Sequence, residues 1–222
     1  MTTLITGASR GIGRALFDHY AATGGRVIGT VRGPLPDQPQ GAAQWAQLDV
    51  GDPGSVRKMA RDLANDPVDL LICNAGVALD KRNSVDDGYP AEMWAETFAV
   101  NVTGVFLTIQ ALLPHLRRGT APKIAIISSQ MASDTRASGG SLIYRASKAA
   151  ALNLGRNLAA ELRADGIAVG IYHPGWVRTD MGGMRGDIEP ADSATGLAAR
   201  FEALTLDTTG CFERWDGGAL QF

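Results

Sequence analysis

Thr2-Thr3-Leu4-Ile5-Thr6-Gly7-Ala8-Ser9-Arg10-Gly11-Ile12-Gly13 is the stretch on which the architecture turns. Thr2 to Thr6 is a short β-rich run that stops at Gly7, as a buried strand entering a glycine turn would. Ala15, Leu16 and Tyr20 then recur at helical spacing, and Gly24-Gly25 closes that helix as a C-terminal cap. The unit is strand, glycine-rich turn, helix. Glycines let backbone N–H groups come close to a pyrophosphate, and the helix N-terminus favours its negative charge. The spacing is G-x-x-x-G-x-G, not the general G-x-G-x-x-G fingerprint, and a tight βα turn without a ligand is the plainer reading of the same residues.

The pattern repeats outward. Arg26 to Thr30 reads as a second buried strand, and its end is where a dinucleotide site carries an acidic residue for the ribose 2′-hydroxyl. Thr30, Val31 and Arg32 stand there instead. An arginine can pair with a 2′-phosphate, and Arg10 adds a second positive charge, so NADP(H) is favoured over NAD(H). A solvated loop arginine is the competing reading of Arg32. Residues 33–44 are loop-like, and a third strand is expected around Ala46 to Leu48, ending at Asp49. Asp52 and Pro53 read as N-cap and first position of a helix reaching about Ala64. Val68 to Cys73 is an apolar strand running into Asn74-Ala75-Gly76, and 77–90 is a polar surface loop.

One long helix is expected from Glu92 to Leu116, although it contains Asn101 and Gly104, both weak helix formers. Lys123 to Ser128 is a strand ending at Ser128-Ser129, followed by a loop at 130–142. The helix bearing Tyr144 runs to about Arg163, and the strand Ala168 to His173 is closed by Pro174-Gly175. The glycines and methionines of 178–190 have the makings of a lid. A helix near Ala191–Leu204 and a strand around Cys211–Phe212 complete the chain. Alternating strands and helices predict an α/β fold, a mostly or wholly parallel sheet wrapped on both faces, doubly wound within a single domain over 1–222.

Composition excludes several functions. The chain has 222 residues, 45% apolar and 20% charged, with a net charge of −2 and no basic block, so nucleic acid is not expected as a partner. Cys73 lies in an apolar run, and two cysteines offer neither a disulfide framework nor a zinc cluster. His19 and His115 read as helix-surface residues, and His173 shows no second ligand, so no metal is expected. No apolar run approaches the ~20 residues of a membrane span and no signal-peptide h-region is visible, which together predict a cytoplasmic protein.

Tyr144-Arg145-Ala146-Ser147-Lys148 carries the chemistry. Residues four apart at a helix start share one face. A phenol has a pKa of about 10, and a fixed ammonium beside it favours the phenolate. The pair therefore reads as a proton-transfer device.

TGASRGIG, then Asn74-Ala75-Gly76, Asn101, Ser129 and YRASK, in that order, resemble the short-chain dehydrogenase/reductases. Gly139-Gly140, Tyr144-Arg145, Pro174-Gly175-Trp176-Val177 and Gly210-Cys211-Phe212 are similar to the C-factor-like and sniffer-type carbonyl reductases within that family. The resemblance implies a Rossmann domain and NADPH-dependent reduction of a ketone or aldehyde, with substrate loops at about 130–142 and 178–190. Tyr144 would exchange the proton, Lys148 would lower its pKa and hold the nicotinamide ribose, and Ser129 would bind the carbonyl oxygen. Asn101 would anchor a water in a proton relay. Thr6, Gly7, Ser9, Arg10, Gly11, Ile12 and Gly13 would line the pyrophosphate. Asp49 and Val50 would meet the adenine, and Asn74, Ala75 and Gly76 its ribose. Pro174, Gly175, Val177 and Thr179 would meet the nicotinamide end.

Ser129 lies fifteen residues before Tyr144 where the family's serine lies thirteen before, which a two-residue loop insertion explains; Ser128 and Ser133 remain open as alternatives. A homodimer or homotetramer built on the two long helices is implied as well. Two rivals stand beside the reductase. One is a nucleotide-binding signalling or sensing protein of C-factor type with little turnover, against which four intact catalytic positions argue. The other is a sugar-nucleotide epimerase or dehydratase, for which too little chain follows Val177.

Overall fold

The computed structural model describes residues 1–39, 41–81, 83–86 and 88–222; the loop readings at 40, 82 and 87 lie outside the described residues. Seven strands make one sheet: β1 (Thr2–Ile5), β2 (Arg26–Val31), β3 (Ala43–Gln47), β4 (Leu70–Cys73), β5 (Lys123–Ile127), β6 (Ala168–His173) and β7 (Phe212–Arg214). Their order is β3-β2-β1-β4-β5-β6-β7, and every neighbouring pair is parallel. Leu4 of β1 pairs with Ile28 on one side and Leu71 on the other. Both faces of these central strands are covered, which is why they read as unbroken apolar runs.

Helix α1 (Gly11–Ala22) and α6 (Pro190–Ala203) cover one face through Leu16, Phe17, Tyr20, Leu197 and Phe201. Helices α2 (Pro53–Asp62), α4 (Gly104–Leu116) and α5 (Leu142–Glu161) cover the other through Val56, Met59, Val105, Ile109, Leu112 and Leu158. The strand order reverses between β1 and β4. In an open sheet of this kind, ligands settle in the crevice beyond the carboxyl ends of the strands at that reversal.

Four expectations need correction. The third strand starts at Ala43 and ends at Gln47, because its register follows β2 from Val27↔Ala43 to Val31↔Gln47. Trp45 of that strand is buried and stacks on Phe17 with centroids 4.0 Å apart. The helix expected over 92–116 is three pieces: α3 (Ala91–Phe98), a π-helical turn (Ala99–Thr103) and α4. His115 is buried, not on the surface, with its Nδ1 2.9 Å from the Asp66 carbonyl oxygen. Finally, Ala91–Leu116 is long and apolar enough to cross a membrane, an 18-residue window of it having a mean hydropathy of 1.5, whereas no such run is expected from the sequence. In the fold this run packs against the sheet, with Val105, Ile109, Leu112 and Leu116 all in the core. Cap signals fared better: Asp52 caps α2 by accepting from the Gly54 N–H at 2.7 Å, with Pro53 first in the helix.

Candidate active site

The carboxyl ends of β1 and β4 are tied together before any ligand is considered. Thr6 Oγ1 accepts from the N–H groups of Asn74 and Ala75, both at 3.0 Å. Asn74 Nδ2 donates to the carbonyls of Thr6 and Gly7, again at 3.0 Å each. Gly7 and Gly11 have φ of 67° and 57°, left-handed values that glycine adopts without strain. A Cβ on Gly13 would stand 2.2 Å from the Gly7 carbonyl oxygen and 2.4 Å from Asn74 Nδ2, so this approach requires glycine.

Above this crossing opens a cleft of about 1210 Å³. Gly7, Ser9, Arg10, Gly11, Ile12, Gly13, Arg32, Asp49, Val50, Asn74, Ala75 and Gly76 line it, and so do Tyr144, Lys148, Pro174, Gly175, Val177 and Thr179. Three of the expected residues stand behind the wall: Thr6, Asn101 and Ser129 are 2%, 1% and 6% exposed and do not line the cleft. Thr6 holds the two strand ends in place from beneath.

The donor chemistry of the cleft fits a dinucleotide. Arg10, the N-cap of α1, makes no side-chain cap bond, and the first turn holds no acidic residue. The amides there have no carboxylate from the protein to satisfy them, and the helix end favours an anion. Arg32 is exposed at the end of β2 and makes no hydrogen bond or ion pair among the described residues. Arg10, by contrast, is paired with Asp180 at 2.6 Å, both side chains being about three-quarters exposed. That contact, Thr179 near the Cβ position of Gly11 at 3.2 Å, and a bond from Lys81 Nζ to the Met181 carbonyl lay the 178–190 segment across the glycine turn. The segment is also folded on itself, with Trp176 Nε1 donating to the Gly182 carbonyl at 2.7 Å. Asp180 and Lys81 had no local signal, since their partners lie far along the chain.

Across the cleft, α5 presents Tyr144 and Lys148. Lys148 Nζ is buried, donates to the Ile127 carbonyl at 2.8 Å, and sits 5.8 Å from the centroid of the Tyr144 ring. Burial pushes its ammonium down to about 8. Burial also pushes the Tyr144 phenol up to about 12, against a hydrogen bond from Ser129 that pulls it down and with the charge of Asp80 pushing it further up. The net direction is opposite to the one expected of a tyrosine–lysine pair. Desolvation is the largest cause, and the Lys148 nitrogen is spent on a backbone carbonyl.

The three serines differ. Ser129 caps the 3₁₀ turn Gln130–Ala132 by accepting from the Met131 N–H at 3.1 Å, and it is the one bonded to Tyr144. Ser128 Oγ donates to the Lys148 carbonyl at 3.0 Å, and Ser133 Oγ pairs with Thr135 Oγ1 at 2.8 Å. Asn101 sits in the π-helical turn, a feature frequent at functional sites. Its Oδ1 accepts from the Val77 N–H, and its Nδ2 donates to the Val77 carbonyl and to Ser147 Oγ, each at 2.9 Å. A Cβ at Gly76 would lie 3.2 Å from Asn101 Oδ1 and 3.4 Å from Lys148 Nζ, so the missing side chain leaves one space shared by both groups. No cluster of metal-ligating side chains occurs among the described residues.

With this geometry in view, the likenesses to known proteins become specific. Residues 1–189 match the family model of the short chain dehydrogenases. C-signal of Myxococcus xanthus is 36% identical over 163 residues, 73% of this chain and 97% of that protein. The NADPH-bound carbonyl reductase from chicken fatty liver superposes with a TM-score of 0.88 at 30% identity, covering 100% of this chain and 98% of its own. The carbonyl reductase Sniffer of D. melanogaster reaches a TM-score of 0.90 over 100% and 99% of the two chains, and its 23% identity makes that a likeness of fold. The match over 1–189, the parallel seven-stranded sheet and the glycine turn at its reversal agree: the chain belongs to the short-chain dehydrogenase family.

Proposed function

We propose that the protein is an NADPH-preferring carbonyl reductase that converts a ketone or aldehyde to an alcohol. The observation that carries this reading is the meeting of Tyr144 and Lys148 at the inner end of a cleft, with Ser129 bonded to the tyrosine from behind its wall, while the outer end offers an uncapped helix N-terminus and a free Arg32. The NADPH-bound carbonyl reductase from chicken supports both the cofactor and the substrate class.

NADP(H), when bound, supplies the hydride. The residues of this chain do the rest. Gly11, Ile12 and Gly13 bring backbone amides to the pyrophosphate, and Arg32 meets the 2′-phosphate, with Arg10 joining once it leaves Asp180. Tyr144 donates a hydrogen bond to the carbonyl oxygen, stabilising the charge that develops there, and Ser129, bonded to the phenol from behind the wall, holds it in place. Tyr144 then gives up its proton. A half-buried phenol held at about 12 is protonated at neutral pH, as an acid for reduction must be. Lys148 replaces that proton through the space over Gly76 that it shares with Asn101 Oδ1, where one lone pair remains for a relay water.

The test is NADPH oxidation against a panel of activated carbonyls, with NADH alongside. Turnover should fall at least a hundredfold in Tyr144→Phe, and Arg32→Ala should raise KM for NADPH about tenfold while leaving NADH unchanged. Equal use of both cofactors by the wild type would sink the preference. The likeness to C-signal favours a second reading, a nucleotide-binding signalling protein with little turnover; tight NADPH binding with no reduction of any carbonyl would establish it.

We also infer a dimer or tetramer formed through the long helices, because Trp94 and Phe106 remain 36% and 37% exposed on α3 and α4. A solution mass at the monomer value of 23.4 kDa would refute it. The reading carries a cytoplasmic location with it, in keeping with two free thiols at Cys73 and Cys211.

A further inference from the structure

Asp80 lies in the loop after β4, is 1% exposed, and has entered so far only as a charge near the Tyr144 phenol. A buried carboxylate is costly unless its oxygens are bonded. One of them is: Asp80 Oδ2 accepts from the N–H of Ile143 at 2.7 Å and from that of Tyr144 at 3.3 Å. The other, Oδ1, is buried without a partner among the described residues.

Those two amides belong to the first turn of α5, the helix that carries Tyr144, Ser147 and Lys148. The residue in the cap position, Ser141, has φ of 47° and ψ of 49° and makes no side-chain cap bond. A capping serine needs an extended backbone to turn its hydroxyl onto the helix. Ser141 cannot serve, and the cap comes instead from a residue 63 positions earlier in the chain. Asp80 is also joined to the cofactor side of the cleft. Only Ala78 and Leu79 separate it from Val77, whose N–H and carbonyl are both held by Asn101, and Asn101 in turn holds Ser147.

We propose that Asp80 is a positioning residue of the reaction, which caps the catalytic helix from outside it and fixes Tyr144 in register with Ser129 and Lys148. The proposal rests on the reading of Tyr144 as proton donor. The groups acting on the phenol are Ser129 beyond β5, Lys148 on the same helix and Asp80 in the loop after β4. Asp80 and Lys148 carry opposite charges, so they pull the phenol in opposite directions: Asp80 keeps the proton on, the form that reduction needs.

The experiment compares Asp80→Asn, Asp80→Ala and Tyr144→Phe in NADPH-dependent reduction across pH, with thermal melts of each. Asparagine still caps but carries no charge. Asp80→Asn is expected to melt near the wild type and to move the alkaline limb of kcat/KM to lower pH by about one unit, since the phenol then loses its proton more readily. Asp80→Ala is expected to lower kcat at least tenfold with KM for NADPH within twofold, most of the loss being restored in Asp80→Asn. An unmoved alkaline limb in Asp80→Asn overturns the proposal, as does a wild-type kcat in Asp80→Ala. If Asp80→Ala does not fold, the limb in Asp80→Asn decides alone. Activity surviving in Tyr144→Phe would instead remove the proton-donor reading, a separate failure.

Discussion

Lys148 shows what it costs to bury an ammonium beside the cleft. It is 5% exposed, its ammonium makes one hydrogen bond among the described residues, to the Ile127 carbonyl, and burial pushes that ammonium from 10.5 down to about 8. A shift of that size corresponds to about 3 kcal/mol disfavouring the charged form in the folded protein. Replacement by methionine keeps the length and removes the charge, at the cost of one backbone acceptor, about 1 kcal/mol. Lys148→Met should therefore stabilise the cofactor-free protein by roughly 1–2 kcal/mol at pH 7 while activity falls at least a hundredfold. The pH dependence identifies the cause. The unfolded chain holds this proton up to 10.5 and the folded one only to about 8, so the contribution of Lys148 to stability should climb between those values. The difference in urea-unfolding free energy between the wild type and the methionine variant should carry this climb over pH 7, 8, 9 and 10, because the buried Cys73 thiol, pushed up to about 12, lowers the stability of both above 9. A variant less stable than the wild type at pH 7 would mean that the hydrogen bond outweighs the buried charge.

At the scale of elements, glycines at two turns do different work. Gly13 lets α1 come down onto the carbonyl of Gly7, and a Cβ there would stand 2.2 Å from backbone. The nearest neighbours of a Cβ at Gly76 are side-chain atoms, Asn101 Oδ1 at 3.2 Å and Lys148 Nζ at 3.4 Å, with backbone no nearer than the Asn74 carbonyl oxygen at 3.9 Å, and Gly76 is not among the positive-φ glycines. Gly76→Ala should therefore cost less than about 1 kcal/mol in stability yet lower kcat about tenfold, by filling the space those two groups share. Gly13→Ala should lose more than 2 kcal/mol, since backbone must move. Denaturation and steady-state kinetics on both variants check the contrast.

What was legible in the sequence has the same local character. A strand that ends in glycines and restarts as a helix, or a Tyr and a Lys one turn apart, is written within a dozen residues. The π-helical turn is not, because Asn101 and Gly104 only weaken a helix, whereas the turn itself answers tertiary contacts: Asn101 bonds to Val77 and Ser147, and a Cβ on Gly104 would lie 2.6 Å from the Val50 carbonyl. The cap of α5 by Asp80 and the ion pair from Arg10 to Asp180 join positions 63 and 170 apart, where no periodicity could reveal them.

For the whole molecule, the edge of the sheet decides how the fold meets acid. His173 ends β6, is 8% exposed, and its Nδ1 is buried without a partner among the described residues. Burial holds its pKa at about 4, with Arg214 of β7 and Arg136 of the loop after β5 adding repulsion and Asp216 opposing it. Above 6.5 the ring is neutral in folded and unfolded chains alike, and the site costs nothing. Between 6.5 and about 4 the unfolded chain takes up a proton that the folded one refuses, so stability falls with pH, by roughly 2–3 kcal/mol in all. Two carboxylates drift the same way lower down: Asp66 is held below its usual range by Arg26, and Asp216 by Arg214. They appear in wild type and variant alike, so the informative quantity is the difference between them. His173→Phe replaces an unsatisfied ring nitrogen by an apolar edge and cannot be protonated. The two proteins should show similar free energies of urea unfolding at pH 7. The variant should become the more stable as pH falls to 4, by roughly 2–3 kcal/mol. A gap that stays constant from pH 7 to pH 4 would show that the neutral ring, and not its titration, is what the sheet edge feels.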